Sequence, residues 1–439
     1  MKVAFHTLGC KVNQYETEAM REQFEKAGFQ SVGEEDFADV YVINTCTVTN
    51  IADRKSRQYI RRMKKGNPDA VVAVTGCYAQ IKPEELTSLP EVDIVAGTGE
   101  KNNIIKYVEE FIQEKVQQSH IKTYDELCTY QDAGIICSME SRTRAYIKIQ
   151  EGCDRFCSYC LIPFARGKVR SRNPEEIIDE AKTLIAKGFK ELILTGINTA
   201  LYGTEDSFAH LYPEWTRQDG IESIVKALND LPGEFRLRFS SLEPAVINAD
   251  YIKRLMKYDK LCHHLHLSAQ SGSDKILGLM NRPYKARDYM EIVKALRMQD
   301  PLYGISTDII VGFPNESEED FNDSIKLIED AGFCKVHGFR YSKRNGTAAA
   351  KMDGQVESQV KNSRVNMLIK AGEKASTEFF KKSIGDYRTV LFEEREGDYI
   401  TGYTDNYIKV YAFGSENDLN GFREVKLLEL YKDGMKGEF

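Results

Sequence analysis

Short apolar runs alternate with segments of helical periodicity along most of this chain, and this alternation limits its fold more than any other feature. Residues 2–8, 39–44, 70–75 and 92–96 are rich in strand-forming residues, and helical patterns occupy 15–27, 51–65 and 103–114. Strands that alternate with helices predict a parallel, doubly wound α/β sheet for residues 1–117. A ligand site is then expected where the strands end, at their carboxyl edge.

The alternation resumes after residues 118–140, which have no steady period and are predicted to be a connector. Six apolar runs, at 145–151, 191–197, 236–242, 264–269, 305–311 and 336–341, alternate with helical patterns. They predict an open or partial (βα)6 barrel of the TIM kind for residues 141–370. In residues 373–439, glycines separate short strand-like runs, which predicts a small all-β module of about five strands after a helix near 355–373.

Ten cysteines stand out in a chain of ordinary composition with a formal net charge of −7. No apolar run is long enough to span a membrane, and the first residues lack the pattern of a signal peptide. We therefore expect a cytoplasmic protein. Thiols stay reduced in that compartment, so clustered cysteines indicate metal ligands or catalysts rather than disulfides.

Three cysteines lie close together with the spacing C-x3-C-x2-C: Cys153, Cys157 and Cys160. Thiolates on one tight loop after the first barrel strand can hold three irons of a 4Fe–4S cluster and leave the fourth iron open. A zinc site is one alternative, but structural zinc takes four ligands, and no second pair with a standard spacing occurs. Unliganded packing cysteines are a further alternative.

Three more cysteines each follow a predicted strand of the N-terminal sheet. Cys10 follows residues 2–8, Cys46 follows 39–44 and Cys77 follows 70–75. The carboxyl ends of parallel strands lie on the same edge of a sheet, so the three thiols can converge. Each could instead be an ordinary buried cysteine. All three cysteines of this domain follow a predicted strand, which favours a second cluster.

The loop at 153–160, with Tyr159 before its last cysteine, resembles that of the radical S-adenosylmethionine superfamily, and the six-unit barrel agrees with it. The resemblance implies that the open iron of a 4Fe–4S cluster binds S-adenosylmethionine, which is cleaved to a 5′-deoxyadenosyl radical. Segments 7–18, 44–48 and 75–80 further resemble the methylthiotransferase branch of that superfamily. One run is most similar to the threonylcarbamoyladenosine tRNA methylthiotransferases: Lys11, Val12, Asn13 and Gln14.

This resemblance covers essentially the whole chain and implies three domains. They are an N-terminal methylthiotransferase domain, a radical S-adenosylmethionine core and a C-terminal TRAM domain. The implied reaction converts N6-threonylcarbamoyladenosine, next to the tRNA anticodon on its 3′ side, to the 2-methylthio form. The radical would abstract hydrogen from C2 of the base, and a second 4Fe–4S cluster would present a methylated sulfur. The implied catalytic metal ligands are Cys10, Cys46, Cys77, Cys153, Cys157 and Cys160.

The other barrel strand ends match segments that hold S-adenosylmethionine in the superfamily. Their polar groups suit the amino group and ribose of the cofactor, and an apolar surface near the fifth strand suits the adenine. On this resemblance, the residues expected to contact the cofactor are Tyr159, Gly196, Asn198, Ser241, Glu243, Gln270, Asp308 and Val311.

Two local concentrations of positive charge are candidates for RNA binding within this acidic chain. The helix predicted at 51–65 has a basic half and a packing half, and a second basic run follows the 153–160 loop. The residues expected to contact RNA are Arg54, Arg57, Arg61, Arg166, Arg170 and Arg172. A solvated helix face is the alternative, and we keep that interpretation for Lys64 and Lys65.

Other interpretations of the chain remain open. Within the family, N6-isopentenyladenosine in tRNA or a ribosomal protein is the alternative substrate. From another class, the alternative is a non-catalytic iron–sulfur or zinc protein that binds RNA. We expect a monomer whose partners are tRNA and an electron donor such as flavodoxin or ferredoxin. His264 and His266 are interpreted as site lining, and four cysteines as structural or incidental: Cys128, Cys137, Cys262 and Cys334.

Overall fold

The computed structural model describes residues 1–131, 134, 136, 143–215 and 220–439. Its N-terminal strands are β1 Lys2–Thr7, β2 Gln30–Val32, β3 Val40–Thr45, β4 Val71–Gly76, β5 Ile94–Ala96 and β6 Gln118–His120. They form one fully parallel sheet in the order β2-β1-β3-β4-β5-β6. The helices of this part are α1 Lys11–Lys26, α2 Asn50–Gly66, α3 Cys77–Ile81, α4 Pro83–Thr87 and α5 Ile104–Glu114.

Helices cover both faces of this sheet because its central strands are apolar on both sides. In β3, Val40 and Val42 belong to a core shared with α1 and α5, whereas Tyr41 and Ile43 belong to a core shared with α2. Successive residues of a strand point to opposite faces, so a continuous apolar run is buried twice. The doubly wound sheet predicted from the sequence is confirmed.

The middle of the chain contains the strands β7 Arg144–Glu151, β8 Arg170–Ser171, β9 Glu191–Gly196, β10 Arg236–Phe239, β11 His264–His266, β12 Gly304–Val311 and β13 Lys335–Arg340. Apart from β8, they run parallel in the order β7-β9-β10-β11-β12-β13. Bridges from Leu237 to Leu261 and from Leu242 to Leu267 join the two halves. The partial barrel predicted from six β-α units is confirmed.

Helices cover the outside of this barrel, and polar groups line its inside. In β7, Ala145, Ile147 and Ile149 are fully buried in the outer core, while Tyr146 faces an interior cavity. This alternation follows from the two-residue period of a strand. The helices are α6 Ile162–Arg166, α7 Pro174–Ala186, α8 Asp206–Leu211, α9 Gly220–Asn229, α10 Ala249–Leu255, α11 Asp274–Leu279, α12 Ala286–Gln299 and α13 Glu318–Ala331.

A long helix, α14 Ser358–Lys382, leads into a closed five-stranded barrel of the TRAM type. Its order is β14-β15-β16-β18-β17, and Phe379 of α14 packs into its core together with Cys334. The small all-β module expected from the sequence is therefore present. Its strands are β14 Tyr387–Glu396, β15 Tyr399–Thr404, β16 Lys409–Ala412, β17 Gly421–Tyr431 and β18 Gly434–Glu438.

Several boundaries differ from those predicted. Strand β6 lies within the segment predicted to be a connector, and its polar sequence Gln118-Ser119-His120 carries no apolar signal. Helix α14 continues to Lys382 instead of ending near 373. Strand β11 ends at His266, and Gln270, beyond it, has a left-handed backbone with φ +65°. No helix in the described part of the chain is long and apolar enough to cross a lipid bilayer.

Candidate active site: two cysteine triads beside adjoining cavities

The first triad lies at the carboxyl ends of three neighbouring strands. Cys10 precedes α1 after β1, Cys46 follows β3, and Cys77 is the first residue of α3 after β4. Both β1 and β4 pair with β3, so the three loops lie side by side. The loop before Cys10 packs against Cys46. A β-carbon at Gly9, whose φ is +118°, would lie 2.9 Å from the Cys46 β-carbon.

Arg166, the last residue of α6, reaches from the barrel to this triad. Its Nε donates a hydrogen bond to Cys77 Sγ over 3.2 Å, and the whole side chain is buried. Burial raises the pKa of Cys77, and the Arg166 guanidinium opposes that rise. Burial, together with the neighbouring Cys77, also raises the pKa of Cys46 to about 12. A metal that binds these thiols must displace their protons.

The Arg166 guanidinium also belongs to a buried charge network between the N-terminal sheet and the barrel. Its Nη1 lies 2.6 Å from Glu16 Oε1 and 2.7 Å from Glu151 Oε1. Lys148 lies 2.8 Å from Glu16 and also pairs with Glu151, and Lys101 pairs with Glu16. Three basic side chains therefore face two carboxylates, and one of the three, Arg166, also contacts the Cys77 thiol.

The expectation that Arg166, Arg170 and Arg172 contact RNA is corrected by their burial. Arg170 Nη1 donates to the Arg166 carbonyl oxygen over 2.9 Å. Arg172 Nη1 donates to Tyr15 Oη over 3.1 Å, and Arg172 also pairs with the buried Glu180. These guanidinium groups are engaged inside the protein, so they are not available to a polyanion at its surface.

The second triad, on the loop after β7, lies at the carboxyl end of the barrel. The backbone N–H of Cys160 donates to the Cys157 carbonyl oxygen over 2.9 Å, and that of Ile162 donates to Cys160 Sγ over 3.4 Å. Burial raises the pKa of Cys153 to about 11 and that of Cys160 to about 12. All three cysteine residues are partly exposed, so a ligand can reach them.

The donors of both triads suit iron–sulfur clusters better than single metal ions. Each triad offers three cysteines, which form the soft thiolates that such clusters take. Among the described residues, no cysteine belongs to a group of three ligand atoms within 4.8 Å of one another, so neither triad is spaced around one ion. A four-iron cluster binds its thiolates on separate irons and accommodates a wider spacing.

Two adjoining cavities lie beside the triads. The larger, of about 650 Å³, has Cys10 and Lys11 on its N-terminal side and the barrel interior on the other. The smaller, of about 230 Å³, has Cys160 in its wall. Asp308 and Phe339 line both cavities, which places the two spaces next to each other. The larger volume falls within the range of small-molecule sites.

The C-terminal barrel closes part of the larger cavity. Arg238 Nη1 donates to the Asp405 carbonyl oxygen over 3.0 Å, in the turn between β15 and β16. In the same turn, Asn406 Nδ2 donates to the Leu302 carbonyl oxygen over 2.9 Å. The Tyr407 ring lies in the cavity wall, stacked on His264 with 4.5 Å between ring centroids. Part of the small barrel is thus part of the candidate site.

Five of the eight residues predicted to contact the cofactor line one or both of the two cavities. Gly196, Ser241 and Asp308 line the larger one, and Tyr159, Gln270 and Asp308 line the smaller one. Their contact with S-adenosylmethionine stays a prediction.

Val311 does not fit this expectation. Its side chain is fully buried in the main barrel core. Asp308 and Ile310 of the same strand line the smaller cavity instead. Because alternate residues of a strand face opposite sides, Val311 faces the same side as Ile309 and the opposite side from Ile310.

Asn198 and Glu243 contact each other at the carboxyl ends of the second and third barrel strands. Asn198 Nδ2 donates to Glu243 Oε2 over 2.8 Å. Two arginines that the sequence analysis did not select also bind this carboxylate: Arg155 over 2.8 Å and Arg282 over 3.3 Å. Arg155 lies inside the cysteine motif, which was a usable signal, whereas nothing in the sequence marks Arg282.

His266, Asp308 and His337 form a polar group in the wall of the larger cavity, with ligand atoms within 4.8 Å of one another. His266 Nε2 lies 3.0 Å from Asp308 Oδ2, a hydrogen-bond distance, and Ser268 Oγ donates to the same oxygen over 3.0 Å. His264 and His266 both line this cavity, which fits their interpretation as site lining.

The arginines of α2 have different surroundings. Arg54 is exposed. Arg57 lies 2.6 Å from Glu85, whereas the side chain of Arg61 is 57% exposed and 3.8 Å from Glu91. RNA contact by these three arginines stays a prediction.

Three of the four remaining cysteines are described. Cys262 and Cys334 are buried and Cys128 is exposed. Cys137 lies outside the described residues.

Comparison with known proteins agrees with this architecture. Residues 2–97 match the model of the uncharacterized protein family UPF0004, and residues 147–328 match that of the radical SAM superfamily. The chain is 41% identical, over 100% of its length and 96% of the relative, to threonylcarbamoyladenosine tRNA methylthiotransferase MtaB of Bacillus subtilis. The chain belongs to the radical S-adenosylmethionine methylthiotransferase family.

Relatives of this methylthiotransferase differ in the substrate that their names give. MtaB of Aquifex aeolicus is 37% identical over 93% of the chain and 96% of the relative. The tRNA-2-methylthio-N(6)-dimethylallyladenosine synthase of Clostridium novyi is 36% identical over 88% of the chain and 84% of the relative. Sequence identity thus shows the family, whereas the relatives' names give two different modified adenosines. The choice between these two substrates depends on the residues of the site.

A solved structure of low sequence identity shares the fold. It is the radical S-adenosylmethionine methyltransferase TsrM from Kitasatospora setae, with a TM-score of 0.57 and 14% identity. The match covers 91% of this chain and 80% of TsrM. The architecture thus occurs in a radical enzyme of very different sequence.

Proposed function

We propose that this methylthiotransferase converts N6-threonylcarbamoyladenosine in tRNA to 2-methylthio-N6-threonylcarbamoyladenosine. The observation that carries the proposal is the placement of the triads beside adjoining cavities. Cys10 of the first triad lines the larger cavity, and Cys160 of the second lines the smaller one. A nucleoside in the larger cavity would lie between the two centres that the chemistry needs.

The family assignment implies 4Fe–4S clusters and S-adenosylmethionine as cofactors. Cys153, Cys157 and Cys160 would hold one cluster, and Cys10, Cys46 and Cys77 the other. When bound, these groups supply the electron that cleaves S-adenosylmethionine and the sulfur that is transferred to the base.

The residues of the chain bind, orient and enclose the reactants. Asp308 and His266 present a hydrogen-bonded polar pair in the larger cavity, suited to hydroxyl or ring-nitrogen groups. Asn198, Arg155 and Glu243 form a fixed polar group behind the radical triad. Arg166 connects the barrel to the first triad through Cys77, so the two centres share one rigid interface.

We further propose a surface for the tRNA. The exposed side chains of Arg54 and Arg61 lie on α2, which begins four residues after Cys46. A polyanion bound along this helix would place its modified base near the first triad. We also propose that the enzyme is a monomer and that it receives electrons from a flavodoxin or ferredoxin.

The test uses the full-length, anaerobically reconstituted enzyme with tRNA that carries N6-threonylcarbamoyladenosine without a 2-methylthio group. Nucleosides are released by nuclease digestion and identified by mass spectrometry. We expect the 2-methylthio form of that nucleoside, with 5′-deoxyadenosine as coproduct. Product formed only from N6-isopentenyladenosine tRNA would refute the proposed substrate while leaving the family assignment intact.

A further inference from the structure

Lys11 lines the larger cavity and belongs to none of the ion pairs described above. Lys11 is the first residue of α1, next to Cys10, and its partly exposed side chain lines the cavity. Its ammonium group makes no hydrogen bond or ion pair with any residue that the structure describes. The lysine therefore presents a positive charge to whatever occupies the cavity.

Two acidic groups near this cavity are already engaged by other residues. The buried Glu191 carboxylate, which acts electrostatically on Lys11, lies 2.5 Å from Arg236 and 3.0 Å from Arg238, with Arg144 at 3.8 Å. These three arginines neutralise the carboxylate. Asp308, in the wall of the same cavity, already accepts from His266 and Ser268.

An ammonium group in the wall of a partly enclosed cavity gains from a negatively charged ligand group, because burial removes water that solvates the charge. The cavity wall adds further positive charge through Arg238. Both observations favour an anionic group in the ligand. Of the two modified adenosines named for the relatives, only the threonylcarbamoyl form carries a carboxylate, while the dimethylallyl group is uncharged.

We propose that Lys11 determines substrate specificity by binding the carboxylate of the threonylcarbamoyl group. The inference rests on the proposed function and names the chain's own contact for it. Lys11 follows Cys10 directly, so a carboxylate held there keeps the modified base beside the first triad. An apolar substituent would make no ionic contact with this ammonium group, which favours the carboxylate-bearing nucleoside over it.

The experiment measures binding of anticodon stem-loop RNA to the reconstituted protein by fluorescence anisotropy. One RNA carries N6-threonylcarbamoyladenosine, and a matched RNA carries the same nucleoside with its carboxylate converted to a carboxamide. The variants are Lys11→Met, which removes the charge at similar length, and Lys11→Arg, which keeps it. Lys26→Met is the control, since Lys26 lies at the exposed far end of the same helix.

For the native protein, we expect the carboxamide RNA to bind about 10- to 100-fold more weakly than the carboxylate RNA. K11M should bind both RNAs equally and about as weakly as the native protein binds the carboxamide. K11R should restore most of the difference, and K26M should behave as the native protein. Such coupling between the lysine and the carboxylate is what a direct contact predicts.

One result would overturn the inference: a K11M protein that still prefers the carboxylate RNA. Loss of iron in that protein would make Lys11 a support of the first triad. A raised KM for S-adenosylmethionine in that protein would make it a contact of the cofactor. A failure of the proposed function is visible separately, because native protein would then modify only isopentenyladenosine RNA.

Discussion

Replacement of Arg166 by methionine tests the buried charge network directly. Methionine fills a similar volume without charge, so Glu16 and Glu151 lose the contacts of 2.6 Å and 2.7 Å. Removing one partner of a buried ion pair typically costs about 3–5 kcal/mol. In the variant, Glu16 still pairs with Lys101 and Lys148, and Glu151 still pairs with Lys148. We therefore expect a loss of stability at the lower end of this range, about 3 kcal/mol.

The assay is urea unfolding of the metal-free, full-length protein, followed by circular dichroism. A multidomain chain unfolds in several steps, so the relevant value is the midpoint of the transition that R166M shifts. With an m-value of about 3 kcal/mol/M, the loss lowers that midpoint by about 1 M. The matched control is Arg61→Met, an exposed arginine expected to change stability by about 0.5 kcal/mol or less.

A second substitution separates charge from packing. Removing both charges in R166M/E151Q leaves fewer uncompensated carboxylates than R166M alone, so the double variant should recover part of the lost stability. A midpoint for R166M within about 0.3 M of the native value would refute the reasoning. If R166M had the native midpoint but bound tRNA more weakly, Arg166 would be an RNA contact and not a support of the buried network.

The other predictions concern the cysteine loop and an ion pair of the central barrel. Cys153→Ser should retain about four irons instead of about eight and form no 5′-deoxyadenosine; unchanged iron would contradict the ligand assignment. Gly152→Ala should impair cluster loading, because the residue has φ +76° and a β-carbon would lie 1.8 Å from the Lys168 carbonyl oxygen; normal iron content would exclude this. A hydrogen bond to Asp300 raises the pKa of His263 above its usual value, so its stabilising effect is complete below pH ~6.5 and lost as the pH rises through the raised pKa. His263→Gln should therefore lower the thermal midpoint more at pH 6 than at pH 9, and an equal loss at both would contradict the ion pair.

Much of the fold could be predicted because its determinants are local. Continuous apolar runs such as β3 and β4 mark buried parallel strands, and their ends mark the positions of Cys46 and Cys77. The spacing at 153–160 is a property of one loop. The short strand β6 was missed because an edge strand with polar residues leaves no hydrophobic pattern.

The roles of Arg166 and Arg172 could not be predicted from local sequence. A run of arginines after a loop is usually solvated, but here Glu16 and Tyr15 come from a helix some 150 residues earlier. Only the packing of α1 on the barrel reveals these partners. The burial of the Val311 side chain could not be predicted for a different reason: the sequence marks the strand but not which of its residues face the core.

The turn at residues 405–408 changes what a truncation can measure. A chain cut after α14 would lose Tyr407 from the wall of the larger cavity, together with the backbone oxygens that bind Arg238 and the amide that binds Leu302. Such a chain would have an opening in the wall of the larger cavity, whatever the small barrel contributes to RNA affinity. Substitutions of outward-facing residues such as Phe413, which is 70% exposed, separate the two effects. The C-terminal module is therefore separate in sequence, but it forms part of the wall of the candidate site.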